Sequence, residues 1–316
     1  ADPMCGTAGF LVAALNHILQ KNSSTSGQIT DDYYAGDLLS DADRKFMQKE
    51  MFYGFDFDAS MLRVASMNMM LHGIENPNIF YQDAFSQNFY ERNPKQAKSY
   101  FDVILANPPF KGSLDYDDVS SDLLSKVRTK KTEVLAIPFF LRLLKSGGRA
   151  GIIVPAGILS TENKAYKQAR KLLVEDNQLD AVITMPSGMF KPYAGVATAV
   201  LLFAKGGNAD KVWFYEMENC GFSLDDKQTP IDDNDIPEVI EFYKDKRESK
   251  KSFNVSKEEL AAQDYSLLPS KYKEVEYKPR VFEHTPQEYV HMIIESEKKS
   301  LKMLEKLQKM LEVKHG

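Results

Sequence analysis

The chain has 316 residues, of which 43% are hydrophobic and 27% are charged, a balance typical of a globular protein with at least one large core. Its net charge of −5 excludes a protein that holds DNA by its overall field alone, and its two distant cysteines and scattered histidines predict neither a disulfide framework nor a metal site. Because no apolar run is long enough to cross a bilayer and no signal-peptide pattern is present, we expect a cytoplasmic protein without a membrane segment.

The first 215 residues alternate short β-rich runs with amphipathic stretches, which is typical of a parallel sheet covered by helices on both faces. The predicted strands, in chain order, are 51–56, 78–82, 101–106, 149–154, 179–185, 196–204 and 211–216. The predicted helices are 10–21, 59–72, 132–145 and 163–175. Because residues 205–210 are too few for a crossover helix, the last two strands should be an antiparallel pair. The predicted fold class is therefore a doubly wound α/β sheet with an antiparallel last strand pair.

From about residue 217 the sequence becomes acidic, polar and rich in turn-forming residues. This change predicts a domain boundary between residues 1–216 and a small, mainly helical C-terminal extension, residues 217–316. The extension ends in residues 286–314, which contain no glycine or proline after the first position. The apolar residues at heptad-like spacing in this stretch are Val290, Ile294, Leu301, Leu304 and Leu311. We therefore expect one long amphipathic helix, whose apolar face either packs on its own domain or docks against another chain.

A loop of small residues precedes the first predicted helix: residues 2–10 read Asp-Pro-Met-Cys-Gly-Thr-Ala-Gly-Phe. Glycines at such a turn let backbone amides approach a ligand at the carboxyl end of a strand. The spacing of Gly6 and Gly9 is neither the dinucleotide fingerprint nor a P-loop, so a tight turn without a ligand explains the loop equally well by itself.

Acidic residues follow the next two strands. Asp56 ends the strand 51–56, where one carboxylate can accept hydrogen bonds from both hydroxyls of a ribose. Asp83, followed by Ala84, comes after the strand 78–82 and can accept from the amino group of an adenine ring. For these two acids we favour ligand binding over helix capping, whereas Asp58 directly precedes a helix and is interpreted as its N-cap.

These stretches resemble S-adenosylmethionine-dependent methyltransferases, and residues 2–10 are similar to the methylation (M) subunits of type I restriction-modification systems. The resemblance implies a Rossmann-like methyltransferase fold that uses S-adenosylmethionine as cofactor. It implies that Asp56 holds the ribose and that Asp83 and Ala84 address the adenine ring. The residues that it implies for the methionine part are Asp2, Cys5, Gly6, Thr7, Gly9 and Phe10.

The sequence Asn107-Pro108-Pro109-Phe110 directly follows the strand 101–106. An adenine amino nitrogen is a poor nucleophile because its lone pair is delocalised into the ring. The Asn107 side-chain oxygen and the Pro108 carbonyl can accept the two amino hydrogens and so localise the lone pair, while the prolines fix the loop and Phe110 stacks on a flipped base. A rigid turn with no chemistry is the alternative. The motif is shared by enzymes that act on DNA adenine, on RNA and on protein glutamine.

Later segments also resemble M subunits: residues 147–155, 186–203 and 264–267. In relatives the second of these lies over the target base, which implies Tyr193 as a further stacking residue. Phe190 is a weaker candidate for the same wall, and a place in the core is the interpretation that we favour for it.

The resemblance implies an N6-adenine DNA methyltransferase that works with DNA, a specificity (S) subunit and a restriction (R) subunit, and it leaves room for a second M subunit. The negative charge agrees with a division of labour in which a partner holds the DNA. The alternatives are a methyltransferase acting on RNA or protein glutamine, or a catalytically silent assembly fragment.

The sequence departs from the family at its beginning. The aromatic-Thr-Pro segment that precedes the glycine loop in M subunits is missing and there is no initiator methionine, so we expect the natural protein to continue upstream. Residues 111–131 are polar and charged, and we expect them to form a mobile loop near the DNA.

Overall fold

The structure is a computed structural model that describes residues 1–30, 33–192, 194–273 and 285–312. The chain divides into two compact units, Ala1–Lys273 and Glu274–Gly316. In the part that the structure describes, no helix is both long enough and apolar enough to cross a membrane.

Strands and helices alternate through the first unit. The strands are β1 (Gln28–Thr30), β2 (Tyr33–Tyr34), β3 (Tyr53–Asp56), β4 (Asn78–Tyr81), β5 (Phe101–Ala106), β6 (Leu144–Pro155), β7 (Gln178–Met185), β8 (Thr198–Ala204), β9 (Lys211–Glu216), β10 (Cys220–Phe222), β11 (Pro230–Asn234) and β12 (Ser252–Ser256). The helices are α1 (Gly9–Lys21), α2 (Asp41–Phe46), α3 (Ala59–Leu71), α4 (Phe89–Arg92), α5 (Ser121–Lys126), α6 (Thr132–Leu143), α7 (Gly157–Ser160), α8 (Lys164–Glu175), α9 (Ile236–Tyr243) and α10 (Lys257–Ala262). Short non-α helical turns occupy Thr25–Gly27, Met47–Met51 and Pro269–Lys271.

The main sheet has six strands in the order β12-β9-β7-β8-β6-β5, and β3 and β4 form a separate parallel pair. The beginning of the chain lies between these two sheets. Asp2 exchanges backbone hydrogen bonds with Tyr53 and Phe55 of β3, and the Leu105 N–H of β5 donates to the Ala1 carbonyl at 3.0 Å. The carboxyl ends of β3, β4, β5 and β6 therefore lie along one edge, where open α/β sheets bind their ligands.

The strand β8 runs antiparallel to both of its neighbours, β6 and β7. The predicted doubly wound α/β class with an antiparallel strand pair is confirmed. The two strands expected to pair, β8 and β9, do run in opposite directions, but β7 lies between them and pairs with β9 in parallel. Six connecting residues suffice to cross one intervening strand, a distance of about 10 Å.

Helix α6 lies in the centre of the unit, and all of its side chains are buried. Its residues 134–141 are all apolar, and a helix with apolar residues on every side packs inside a protein rather than on its surface; the polar Thr132, Glu133 and Arg142 lie near its ends. It ends at Leu143, two residues before its predicted end, and the two glycines after it belong to β6. The amino end of α6 reaches the same edge as the carboxyl ends of the parallel strands.

The expectation of a mobile loop over residues 111–131 is wrong. The segment contains α5, its two ends are joined by a backbone bridge between Ser113 and Lys131, and its middle is bridged to Ser86 at Val119. Val119, Leu123 and Val127 are buried in the main core. Leu123 lies on α5, and Val119 and Val127 lie on either side of the helix, so both it and its flanks are anchored to the core.

Residues 217–273 belong to the first compact unit. Strand β12 pairs antiparallel with β9, and Trp213 and Tyr215 of β9 pack with Val239 of α9 in a small cluster. The acidic, turn-rich composition that marks residue 217 in the sequence therefore corresponds to the exposed hairpin of β10 and β11 rather than to a break in the core.

The second unit contains α11 (Pro286–Glu312), the long helix that the sequence predicts. The side chain of Leu311 lies outside the described residues. The other residues of the heptad-like seam are exposed: Val290 by 56%, Ile294 by 45%, Leu301 by 59% and Leu304 by 63%.

Candidate active site

A cavity of about 490 Å³ lies where the parallel strands end. Five residues of the predicted site line it: Asp56, Asp83, Ala84, Asn107 and Pro109. The other lining residues are Pro3, Met4, Phe57, Gln82, Phe85, Lys111, Gly112, Ser113, Leu114 and Thr132. Segments that are far apart in the sequence meet here because parallel strands place all of their carboxyl ends at the same edge.

The Asp56 carboxylate is held by two backbone N–H groups. One oxygen accepts from Gly6 at 2.9 Å and the other accepts from Asp58 at 2.9 Å. Gly6 has a φ of +50°, a conformation that favours glycine, and a Cβ there would meet no atom within 4 Å. A hydrogen bond therefore joins the glycine loop to Asp56, the acid predicted to bind the ribose, and there is open space beside Gly6.

Asp2 lies under this loop and is only 2% exposed. Its Oδ1 accepts from the Met4 N–H at 3.1 Å. Burial raises the pKa of the Asp2 carboxyl to about 7, the Asp56 carboxylate adds to the rise, and the bond from Met4 opposes it. Asp2 therefore titrates near neutral pH.

The other loop residues have different surroundings. Cys5 is buried against Leu11 and Met69, and burial raises the pKa of its thiol, which stays protonated at neutral pH. Thr7 and Gly9 are exposed. Phe10 lines a second cavity of about 410 Å³, so the structure does not bring it to the main cavity. The cofactor-binding roles of these residues remain predictions.

The turn that carries Asp83 is fixed by a buried amide. Gln82 donates from Nε2 to the Asp83 carbonyl at 2.8 Å and to Asn88 Oδ1 at 2.9 Å, and its own oxygen accepts from Asn93 at 3.1 Å. The Asp83 carboxylate accepts from the Phe85 N–H at 3.0 Å and is itself exposed to the cavity. Sequence reasoning missed Gln82, whose signal was a polar residue directly after the apolar and aromatic residues 79–81.

The Asn107-Pro108-Pro109-Phe110 segment follows β5 at the cavity wall. Asn107 and Pro109 are exposed, Pro108 is buried and Phe110 is half-buried. The Phe110 ring meets the Phe190 ring edge-to-face, with centroids 6.1 Å apart and planes at 77°. Phe190 is half-buried, so its interpretation as a core residue is wrong. Tyr193, the other predicted stacking residue, lies outside the described residues.

Thr132, at the amino end of α6, is a lining residue that the sequence did not indicate. It is 6% exposed, and its Oγ1 has no hydrogen-bond partner among the described residues. A Cβ on Gly112 would lie 2.6 Å from this oxygen, so the loop after the Pro-Pro motif packs directly on the threonine. A buried hydroxyl without a partner costs free energy, which favours a role toward a bound molecule.

Within the described ranges, no three His, Cys, Asp or Glu side chains gather in a group that could hold a metal ion.

A family pattern and a curated relative both connect this chain with DNA methylases. The N-6 DNA methylase family pattern matches residues 1–279. The methylase subunit of type I restriction enzyme EcoEI from Escherichia coli is 32% identical over 215 residues, which are 68% of this chain and 39% of that protein.

Two solved structures have the same fold. One, from work on complex assembly and conformational transition of the type I R-M system, matches with a TM-score of 0.67 and 27% identity over 98% of this chain and 61% of that chain. The other is a putative class I S-adenosylmethionine-dependent methyltransferase from Listeria monocytogenes, with a TM-score of 0.51 and 16% identity over 78% of this chain and 63% of that chain. This second likeness concerns the fold alone.

The chain spans less than two thirds of the length of each of these proteins. The fold is that of S-adenosylmethionine-dependent methyltransferases, as the resemblance implied. Because the family pattern covers residues 1–279 of 316, the chain belongs to the N-6 DNA methylase family.

Proposed function

We propose that this chain is the catalytic part of a DNA methyltransferase that transfers a methyl group from S-adenosylmethionine to the N6 amino group of adenine, as the M subunit of a type I restriction-modification system. One observation carries the proposal: Asp56, Asp83 and Asn107 all line the cavity of about 490 Å³. Two of these residues suit a cofactor that contains adenosine, and the third suits an amino group as acceptor.

The lining residues fit S-adenosylmethionine. The Asp56 carboxylate would hold the ribose hydroxyls, and Asp83 would accept from the amino group of the cofactor's adenine ring. Phe57 and Phe85 supply apolar surface for the ring. The Thr132 hydroxyl, which has no hydrogen-bond partner among the described residues, adds a polar group that a ligand can satisfy. The glycine loop, with its open space beside Gly6, would face the methionine part.

The chemistry needs few protein groups. When bound, S-adenosylmethionine supplies a methyl group on a cationic sulfur. Asn107 Oδ1 and the Pro108 carbonyl accept the two hydrogens of the acceptor amino group, which turns the nitrogen lone pair out of the ring. Pro108 and Pro109 restrict the backbone, so both acceptors are in position before the base arrives. The amino proton leaves to solvent after attack.

The paired rings of Phe110 and Phe190 provide the surface for a base that has left the DNA helix. A flipped base is stabilised by stacking on aromatic side chains. Because Phe190 meets Phe110 edge-to-face, it supports that ring from the side and limits where the base can enter.

We assign methyl transfer to the first compact unit, in which residues 217–273 pack with the predicted catalytic domain, residues 1–216. We assign assembly to the end of the predicted extension, with α11 as its main contact. The partners in this proposal are DNA, the S subunit and the R subunit, with room for a second M subunit. The exposed apolar seam of α11 supports docking against another chain, and the net charge of −5 supports a DNA grip that partners supply. A DNA substrate also agrees with a cytoplasmic location.

The test combines the natural protein with its cognate S subunit and measures transfer of tritiated methyl groups to unmethylated DNA. Mass spectrometry of the digested DNA should identify N6-methyladenine. Cofactor binding without any N6-methyladenine would contradict the proposal. Methylated RNA or methylated glutamine in parallel assays would then identify RNA or protein as the substrate.

A further inference from the structure

The turn Ser223–Thr229, between β10 and β11, contacts the loop that carries Phe190. Gln228 donates both amide hydrogens from Nε2 to backbone carbonyls of that loop, to Met189 at 2.9 Å and to Lys191 at 2.8 Å. These two carbonyls flank Phe190. A single side chain therefore fixes the backbone on both sides of the aromatic residue that meets Phe110.

Close packing accompanies these hydrogen bonds. Gly188 has a φ of +91°, and a Cβ on it would lie 2.7 Å from the carbonyl oxygen of Leu224. Only glycine allows the turn and the loop to approach so closely. The ion pair of Lys191 and Asp226, at 3.6 Å, is exposed and adds little.

The turn holds Gln228 in place through its own hydrogen bonds. Asp225 Oδ1 accepts from the backbone N–H groups of Lys227 at 2.9 Å and Gln228 at 3.2 Å, and from Ser223 Oγ at 3.0 Å. The N–H of Thr229 donates to Ser223 Oγ at 2.9 Å. Gln228 itself has a φ of +47°, an uncommon conformation that this network supports.

The loop has further bonds of its own, but they are local. The Lys191 N–H donates to the Gly188 carbonyl at 3.1 Å, and the Ala194 N–H donates to the Phe190 carbonyl at 2.9 Å. These bonds shape the turn around Phe190 without tying it to another element. The Gln228 side chain supplies that tie, because it comes from a different hairpin 37 and 39 positions away.

We infer that Gln228 is a positioning residue for methyl transfer: by holding the Met189 and Lys191 carbonyls, it keeps Phe190 against Phe110 and so fixes the aromatic wall that receives the acceptor base. This inference rests on the proposed function. Gln228 acts through Phe190: its side chain donates to the Met189 and Lys191 carbonyls, and Gln228 is not among the described residues that line the cofactor cavity. Its loss should therefore affect turnover of the base and leave cofactor affinity unchanged.

The decisive variant is Gln228→Met, which keeps the length of the side chain and removes both donors. The loop around Phe190 then has to be ordered each time a base binds, and kcat should fall about ten-fold. The matched control is Lys227→Met, which puts the same side chain at the neighbouring exposed position of the turn. Gly188→Ala perturbs the same contact from the loop side, and it should reproduce the defect.

Two readouts decide the inference on the assembled enzyme. Hydrogen–deuterium exchange of the peptide covering residues 186–192 should become faster in Gln228→Met and in Gly188→Ala, but not in Lys227→Met. Methyl transfer to DNA should show a lower kcat, with the affinity for S-adenosylhomocysteine equal to that of the unchanged protein. If exchange in Gln228→Met stayed at the rate of the unchanged protein, Gln228 would not hold the loop. If exchange became faster while kcat stayed full, Gln228 would hold the loop without a role in turnover. If the enzyme without any substitution bound the cofactor and did not methylate DNA, the proposed function would be contradicted instead. The exchange rates would still decide whether Gln228 holds the loop.

Discussion

The Asp56 carboxylate accepts a hydrogen bond from the backbone N–H of Gly6 at 2.9 Å, across 50 positions of the chain. The acid that ends β3 and the glycine loop before α1 therefore form one unit at the cavity. The bond fixes the direction of the carboxylate, and each oxygen keeps a lone pair for a ligand hydroxyl. Gly6 and Asp56 should act together in binding the cofactor.

Replacing Asp56 with Asn should lower the affinity for S-adenosylhomocysteine about ten-fold or more, because a neutral amide makes weaker hydrogen bonds with the ribose hydroxyls. Isothermal titration calorimetry measures the change. Asp58→Asn is the matched control, since Asp58 caps α3 and Asn is an equally good N-cap. Equal affinities for the two variants would exclude the ribose role of Asp56.

Asn107→Ala should reduce methyl transfer to DNA about a hundred-fold or more while changing cofactor affinity far less. The side-chain oxygen acts on the acceptor nitrogen as the reaction proceeds, so its loss raises the barrier rather than weakening ground-state binding. Single-turnover transfer and calorimetry separate the two effects. Asn76→Ala, at an exposed position before β4, should retain full activity. Full activity in Asn107→Ala would refute the mechanism.

The sequence predicted the strand-end acids because their signal is local. Asp56 and Asp83 each follow an apolar run directly, and parallel strands bring such ends to one edge. Gln82, which was missed, also carries a local signal as a polar residue at a strand end, but Thr132 depends on distant packing. Thr132 reaches the site only because α6 is central, and nothing in residues near Thr132 marks that position.

The order of the strands could not be predicted from the sequence either. A connection of six residues can close a hairpin or cross one strand, and only the packing of β7 between β8 and β9 decides between them. The charged residues of 111–131 concealed an ordered segment with a short helix, because the buried residues Val119, Leu123 and Val127 are outnumbered by polar neighbours.

Thr132→Val should have opposite effects on stability and on binding. Removing a buried hydroxyl that has no partner among the described residues should raise Tm without ligand. The same change should lower the affinity for S-adenosylhomocysteine about five-fold, because a ligand contact is lost. Thr132→Ser keeps the hydroxyl and should keep the affinity. A lower Tm in Thr132→Val would mean that the hydroxyl has a partner inside the protein.

Stability should depend on pH through Asp2. Its pKa is about 7 in the folded chain against an ordinary value of 3.8, and burial is the main cause. The folded state therefore binds the proton more tightly than the unfolded state does. The contribution of protonated Asp2 to the free energy of unfolding is therefore fully present below about pH 4 and is lost as the pH rises to about 7.

Asp2→Asn removes this titration and keeps a carbonyl oxygen for the Met4 N–H. The variant should match the unchanged protein near pH 4 and exceed its free energy of unfolding at pH 8, with a difference that grows by at most about 1.4 kcal/mol per pH unit in between. Urea unfolding across this range measures the difference. A difference that does not vary with pH would show that Asp2 ionises normally.

The seam of α11 should mediate assembly. Leu301 and Leu304 are 59% and 63% exposed, so changing both to Glu should leave the Tm of the chain unchanged. Binding of the S subunit should weaken more than about ten-fold, because two apolar contacts are replaced by charges that lose water on binding.

Size-exclusion chromatography and titration with the purified S subunit measure this loss. Lys306→Glu adds a negative charge on the opposite face of α11 and serves as the control, since at heptad spacing it lies away from the seam. A lower Tm in the Leu301 and Leu304 double variant would show that the seam packs on its own chain. Undiminished S-subunit binding would move the assembly surface elsewhere, because a seam that tolerates two buried carboxylates cannot be an apolar interface.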